Sequence, residues 1–140
     1  MSRLLILGAG GHAKVVAETA IASGQFSEVA FLDDRCSGPD QLASVLGFPV
    51  LGPLALALEL IHRQPFAAAS VAFGNPTARL NWIEKLDAAG YLLPVLIHPT
   101  AWVSPSGQLG SGSVVFAQAA VQTLASIGAG AILNTGCSVD

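Results

Sequence analysis

Residues 8–14 read Gly-Ala-Gly-Gly-His-Ala-Lys and sit between a short apolar run and a helical pattern. Gly8, Gly10 and Ala13 fit G-x-G-x-x-A at a strand-to-helix junction. Glycines there allow a tight turn and close backbone approach, and the helix N-terminus aims unpaired N–H groups at an anion, most often a diphosphate. Lys14 falls in the first helical turn, where a cation opposes the helix dipole, so a bound anion would relieve the conflict. Asp33 ends the next apolar run, about where an acidic residue commonly reads a ribose hydroxyl. In an extended strand Asp33 and Asp34 face opposite sides, so at most one meets a ligand directly. Each residue also has a plain reading. Gly8 and Gly10 can be turn formers, Lys14 a solvated lysine, and His12 a side chain that hydrogen-bonds the loop.

A second junction of this kind lies at Gly74 and Asn75, with Arg79 one turn into the following helix. Asn75 is explained by capping and is also a candidate ligand contact, and Arg79 can meet phosphate or solvent. His62 ends a helical stretch, where an imidazolium suits the dipole, and is assigned no chemistry. His98 precedes Pro99 at a junction and is expected to fix that turn. Cys36 and Cys137 belong to no CxxC or Cys/His cluster, so both are read as reduced thiols, with no metal and no disulfide implied.

The elements that must position these residues change character along the chain. Residues 3–96 alternate strands and helices. RLLIL (3–7) reads as a buried strand, and a helix from about Gly11 places Ala13, Val16, Ala17 and Ala20 on one stripe, with Gly24 as its stop. EVAFLD (28–33) and ASVAF (69–73) read as strands. The Gly- and Pro-rich segment 37–52 gives no element, and PLALALELIHR (53–63) puts Leu54, Leu58 and Ile61 on one helical face. GNPTARLNWIEKLDAAG has Asn75 as N-cap, Pro76 at the first helical position and Gly90 as the stop, and YLLPVL (91–96) reads as a closing strand. This alternation predicts an α/β unit, a parallel sheet with helices on its faces.

From Ile97 onward apolar residues recur every six positions, at Ile97, Val103, Leu109, Val115, Val121, Ile127, Leu133 and Val139. Six is neither the helix nor the strand period. It fits a solenoid in which each hexapeptide forms one short side of a triangular coil and its aliphatic side chain fills the axis. A Gly-rich linker would not hold branched aliphatics in phase. The expected division is 1–96 and 97–140. The chain stops within a repeat and without a capping element, so it is expected to be the front part of a longer polypeptide.

Composition sets the outer bounds. Apolar residues make up 52% of the 140-residue chain and charged residues 11%, with a formal charge of -3 and a pI near 5.4. No Asp, Glu, Lys or Arg occurs between Ala88 and Val139. Such faces are expected to be buried against copies of the chain. No basic face supports nucleic-acid binding. The apolar segments are too short for a signal peptide or a membrane span, so the protein is expected in the cytoplasm, without membrane insertion.

Taken together, GAGGHAKVV, FLDD, GNPTAR, IHPTA and the hexapeptides resemble the bacterial sugar acyltransferases of the sialic-acid O-acetyltransferase and UDP-amino-sugar N-acetyltransferase group. The resemblance covers the whole chain and implies a small Rossmann-like domain joined to a left-handed parallel β-helix. It further implies a UDP-linked sugar held by the front domain, and acetyl-CoA against the β-helix between subunits of a homotrimer. Gly8, Gly10, Gly11 and His12 match the family's nucleotide-sugar loop, Asp33 and Asp34 its acidic pair, and Asn134 an asparagine of its active-site coil. The family's general base is a histidine that would fall immediately after Asp140. None of His12, His62 and His98 is in register to replace it, although His12 would lie near the active site if the front domain folds back over the coil. A sugar amine attacking a thioester must lose a proton, which a neutral imidazole takes, and loss of the base would cost about 10²–10⁴-fold in rate.

Two other functions stay open at this level. G-x-G-x-x-A with Asp33 also fits an NAD-dependent oxidoreductase, but a solenoid follows where a hydride-transfer substrate domain should be. A non-catalytic assembly module would use the hexapeptides to trimerise alone. A histidine codon directly after Asp140 is the outcome expected of the enzyme, and sequencing that frame to find another residue would favour the module.

Overall fold

The computed structural model describes residues 2–63 and 66–140. The chain begins with strand β1 (Ser2–Leu7), helix α1 (Gly11–Ala22) and strand β2 (Phe26–Leu32). Then come β3 (Ser44–Val45), β4 (Phe48–Gly52), α2 (Ala57–Arg63), β5 (Ala68–Val71) and α3 (Pro76–Ala89). The sheet order is β3-β4-β2-β1-β5, with β1 parallel to both β2 and β5 and β4 parallel to β2. Leu4 and Ile6 on one face of β1 pack with Ala13, Val16, Ala17 and Ala20 of α1. Leu5 and Leu7 on the other face pack with Ala57, Leu60 and Leu86 of α2 and α3. β1 is therefore apolar from Leu4 to Leu7 because helices cover both of its faces.

Three details differ from the sequence reading. The segment 37–52 holds an antiparallel pair, Ser44 opposite Pro49 and Val45 opposite Phe48. Leu46 (φ 53) and Gly47 (φ 80) make its turn, and a non-glycine at positive φ is not legible from composition. Residues 54–56 form a 3-10 turn before α2 begins, which shifts the helical phase. Ala57 and Leu60 take the buried face, with Leu54 and Ile61 packed beside them, while Leu58 is exposed. YLLPVL does not run as one strand. Leu92 makes a single bridge to Ala68, Pro94 has no N–H to continue the ladder, and the chain turns away to the next layer.

That layer begins with β6 (Leu96–Ile97) and continues at six-residue steps. The steps are β7 (Trp102–Val103), β8 (Gln108–Leu109), β9 (Val114–Val115), β10 (Ala120–Val121), β11 (Ser126–Ile127), β12 (Ile132–Leu133) and β13 (Ser138–Val139). They form three separate parallel sheets, β7-β10-β13, β8-β11 and β6-β9-β12. Ala120 pairs with Trp102 and with Ser138, 18 positions away in each direction, so three hexapeptides complete one turn. All eight in-phase aliphatics meet in one cluster along the axis. Corners are stapled between turns: Gln118 N–H donates to Thr100 Oγ1 at 3.1 Å and Leu124 N–H to Ser106 Oγ at 2.9 Å. His98 fixes the turn at the start of the coil, as expected, with Nδ1 accepting from Thr100 N–H at 3.1 Å.

The coil is tied to the α/β unit through one of its three sides. Leu96, Val114 and Phe116 belong to the same apolar cluster as α1 and β1, and Ile132 packs against it. Gly130, at a corner with φ 68, lies so close to α3 that an added Cβ would come within 2.7 Å of Ile83 Cδ1. No helix among the described residues is long and apolar enough to cross a membrane. Leu96 is fully buried at this joint, so Leu96→Ala is expected to cost about 2–5 kcal/mol. Leu124→Ala, at a residue 79% exposed, should stay within about 0.5 kcal/mol, both read from urea denaturation.

Candidate functional site

The crevice that positions the candidate residues follows from strand order. β1 is flanked by β2 on one side and β5 on the other, α1 leaves β1 toward one face of the sheet and α3 leaves β5 toward the other. Diverging helices at adjacent strand ends open a crevice at the carboxyl edge of the sheet, the usual ligand position in such folds. Gly8 is buried at its floor with φ 103, and an added Cβ would come within 3.1 Å of Ala72 O. Its own N–H donates to Leu32 O at 2.7 Å. Gly8 thus sets the close approach of the two loops and offers no free donor.

Gly10 is the N-cap of α1 and no side chain caps it. The first bond of the helix runs from Lys14 N–H to Gly10 O at 3.2 Å, so the amides of Gly11, His12 and Ala13 have no acceptor within the helix. Gly11 is exposed and an added Cβ there would meet nothing within 4 Å. Lys14 is exposed on the outer side of the same turn. Asn75 Oδ1 accepts from Ala78 N–H at 3.0 Å, the cap that its position predicts, and leaves the side-chain amide free.

The acidic pair is engaged inside the fold. Asp33 Oδ2 accepts from Ala9 N–H at 2.9 Å, and Asp33 Oδ1 from Arg35 N–H at 2.9 Å. The Arg35 guanidinium closes on both oxygens, each at 3.0 Å. The Arg35 side-chain hydrogen bond, with the amides of Arg35 and Ala9, holds the Asp33 carboxyl below its ordinary range against the opposing effect of burial. Asp33 therefore clamps the glycine loop and Arg35 together, and a ribose hydroxyl could reach it only by displacing one of them. Asp34 Oδ1 accepts from Leu54 N–H at 3.0 Å and ties the next segment to the same edge. The sequence reading missed Arg35, whose signal was its position two residues after the strand-ending acid.

His12 joins the α/β unit to the coil. Its ring meets Phe116 edge-to-face, with centroids 5.5 Å apart and planes at 63°. Burial lowers its pKa below 6.5, and the nearby Arg79 lowers it further. The ring is neutral at pH 7, and its Nε2 is buried without a partner among the described residues. Phe116 N–H in turn donates to Leu133 O at 3.0 Å, so Asn134 sits one rung beyond Phe116, about 4.8 Å along the coil. Asn134 is exposed, and its main-chain carbonyl accepts from Cys137 N–H at 3.1 Å to close a turn through Gly136. The fold thus sets His12, one residue into the helix that Gly10 caps, beside Phe116 and near Arg79 of the first turn that Asn75 caps, and Phe116 is one rung from Asn134. Among the described residues, no group of three or more His, Cys, Asp or Glu could hold a metal ion. The His62 side chain lies outside the described residues.

Residues 3–86 match the PglD N-terminal domain family. The chain belongs to that family. It is 34% identical over 120 residues to UDP-N-acetylbacillosamine N-acetyltransferase of Bacillus subtilis, covering 84% of this chain and 52% of the relative. Among solved structures it is similar to the acetyltransferase domain of PglB from Neisseria gonorrhoeae, with 46% identity, a TM-score of 0.90 and coverage of 100% of this chain and 65% of that one. The same domain is also known in complex with acetyl coenzyme A, at 47% identity and a TM-score of 0.88, covering 99% of this chain and 64% of that one. A histidine-to-asparagine variant of perosamine N-acetyltransferase from Caulobacter crescentus, in complex with CoA and GDP-perosamine, is 37% identical with a TM-score of 0.89 and is covered to 63%. The chain thus spans about half the length of the curated relative and under two thirds of these structures.

The depressed His12 pKa has a consequence for this family member's stability. A base whose folded pKa lies below 6.5 binds its proton later than in the unfolded chain, so its contribution is complete above 6.5 and lost as pH falls toward the folded value. Between about pH 7.5 and about pH 5.5 the wild-type urea midpoint should fall more than that of His12→Gln. Equal losses would show that His12 does not titrate in this manner.

Proposed function

We propose that this chain is the nucleotide-sugar-binding unit and first coils of an acetyl-CoA-dependent N-acetyltransferase acting on an amino group of a nucleotide-linked sugar. One observation carries the reading: the glycine loop of the α/β unit reaches the coil through the His12–Phe116 contact, one rung from Asn134. A nucleotide held at the loop would project its sugar onto the coil edge, where the family resemblance puts acyl transfer. The 1–96 and 97–140 units are then a small Rossmann-like domain and the start of a left-handed β-helix.

In this proposal the first-turn amides at Gly11 and His12 meet the diphosphate, Gly8 and Gly10 shape the loop, and Asn75 lines the opposite rim. Asp33 holds the loop in its binding form through Ala9 and Arg35. Asp34, whose second oxygen accepts nothing among the described residues, is the carboxylate left to read the nucleoside. At the reacting centre the amine displaces the CoA sulfur from the acetyl carbonyl, the amine proton passes to a histidine base supplied from outside the described coil, and the CoA thiol leaves. Asn134 holds the amine or that base by a hydrogen bond.

The coil faces carry no Lys or Arg. They suit the neutral pantetheine arm of acetyl-CoA, whose phosphates then need cations from elsewhere in the assembly. The same uncharged faces, with Trp102 56% exposed on one of them, support packing of the coil against copies of itself as a homotrimer. The NAD-dependent alternative is disfavoured by the coil, which follows the α/β unit where a hydride-transfer substrate domain should be.

The test is transfer itself. Natively expressed protein given acetyl-CoA with a UDP- or GDP-linked amino sugar should release CoA thiol, and Asn134→Ala should lower kcat by about three- to tenfold, the scale of one lost hydrogen bond. Absence of thiol release with both sugar classes would overturn the proposal.

A further inference from the structure

Arg79 has no task in the function proposed above, yet its placement is unusual for a solvated side chain. It lies in the first turn of α3, with its N–H donating to Asn75 O at 2.9 Å. Its Nε is buried and finds no partner among the described residues, and neither of the ion pairs there, Arg3–Glu28 and Arg35–Asp33, involves it. An arginine Nε–H is a donor only and keeps its proton at any physiological pH, so the missing partner is an acceptor. A buried donor on a cation is matched best by an anionic oxygen, and a cation in the first turn of a helix is itself at odds with the dipole until an anion arrives. Across the crevice His12 Nε2 is a second buried nitrogen without a partner. The other cations near the glycine loop are differently placed: Arg35 is closed on Asp33, and Lys14 is exposed on the outer side of α1.

We propose that Arg79 is the cationic anchor of the bound nucleotide, its half-buried guanidinium taking a diphosphate oxygen between the glycine loop and the Gly74–Asn75 turn. The inference rests on the nucleotide-sugar function proposed above and names the residue that supplies its charge. It also explains how the loop can hold a diphosphate although its own acid, Asp33, is turned to Arg35. Coenzyme A carries a diphosphate as well, so the two sources must be separated by experiment.

Calorimetric titration of natively expressed wild type, Arg79→Lys and Arg79→Gln with UDP, GDP, uridine, guanosine and CoA separates them. For whichever diphosphate the wild type binds, both variants should lose about 10- to 100-fold in affinity, Gln more than Lys, the range of one charge-assisted hydrogen bond. Affinity for the matching nucleoside and for CoA should be unchanged, and melting temperatures should stay close to wild type. Variants that bind UDP and GDP as the wild type does would overturn the inference and leave the proposed function standing. A loss shared equally by the nucleoside would reassign Arg79 to folding or to the base, and a loss confined to CoA would assign it to the thioester's nucleotide; either result also overturns it. Wild-type protein that binds neither UDP nor GDP would remove the nucleotide-sugar reading and this inference together.

Discussion

One side of the coil buries residues outward as well as inward, and that seam governs the molecule. Along β6, β9 and β12, Ile97, Val115 and Leu133 fill the axis while their neighbours Leu96, Val114 and Ile132 pack against the cluster built on α1. Strand alternation makes this possible only if both residues of each pair are apolar. Leu96-Ile97, Val114-Val115 and Ile132-Leu133 meet that requirement in every pair, whereas each of the other two sides breaks it, with Gln108 and Ser126 on one and Ser138 on the other. The doubly apolar side selects which face of the triangle meets the α/β unit, and with it where α1, the glycine loop and His12 come to lie.

The same seam accounts for the electrostatics of the crevice. Docking the coil buries His12 against Phe116, and burial is the larger cause of its lowered pKa. The positive ends of α1 and α3 and the Arg79 side chain gather there, while the nearby carboxylate of Asp33 is spent on Ala9 N–H and Arg35. A region rich in donors and short of free acceptors is what an anionic ligand completes. The internal use of Asp33 is a cost of keeping a loop with three glycines in one conformation, since such a loop otherwise has many.

Much of the architecture was legible because its signals are periodic or depend on one residue type. The α1 stripe, the Asn75–Pro76 start and Gly90 stop of α3, and the six-residue phase of the coil all appear in the structure where the sequence places them. What escaped was local geometry set by tertiary context. The β3–β4 hairpin turns on Leu46, a residue that carries no turn signal, and the phase of α2 was displaced by a 3-10 turn. At the site, the residue types were readable but their partners were not. That Asp33 would be held by Arg35, and that His12 would lie against a coil residue more than one hundred positions away, depends on how two elements dock.

The three-hexapeptide turn described for the coil also acts as a ruler for evolution. Phe116 and Asn134 share a column because they stand 18 positions apart, and every residue after them inherits that spacing. Insertion or loss of one residue on a flat side would rotate all later side chains out of the axis and carry Asn134 away from His12. Length variation among natural homologues should therefore be confined to bulges at the corners or to whole turns, while the α/β unit tolerates it freely in its outer loops.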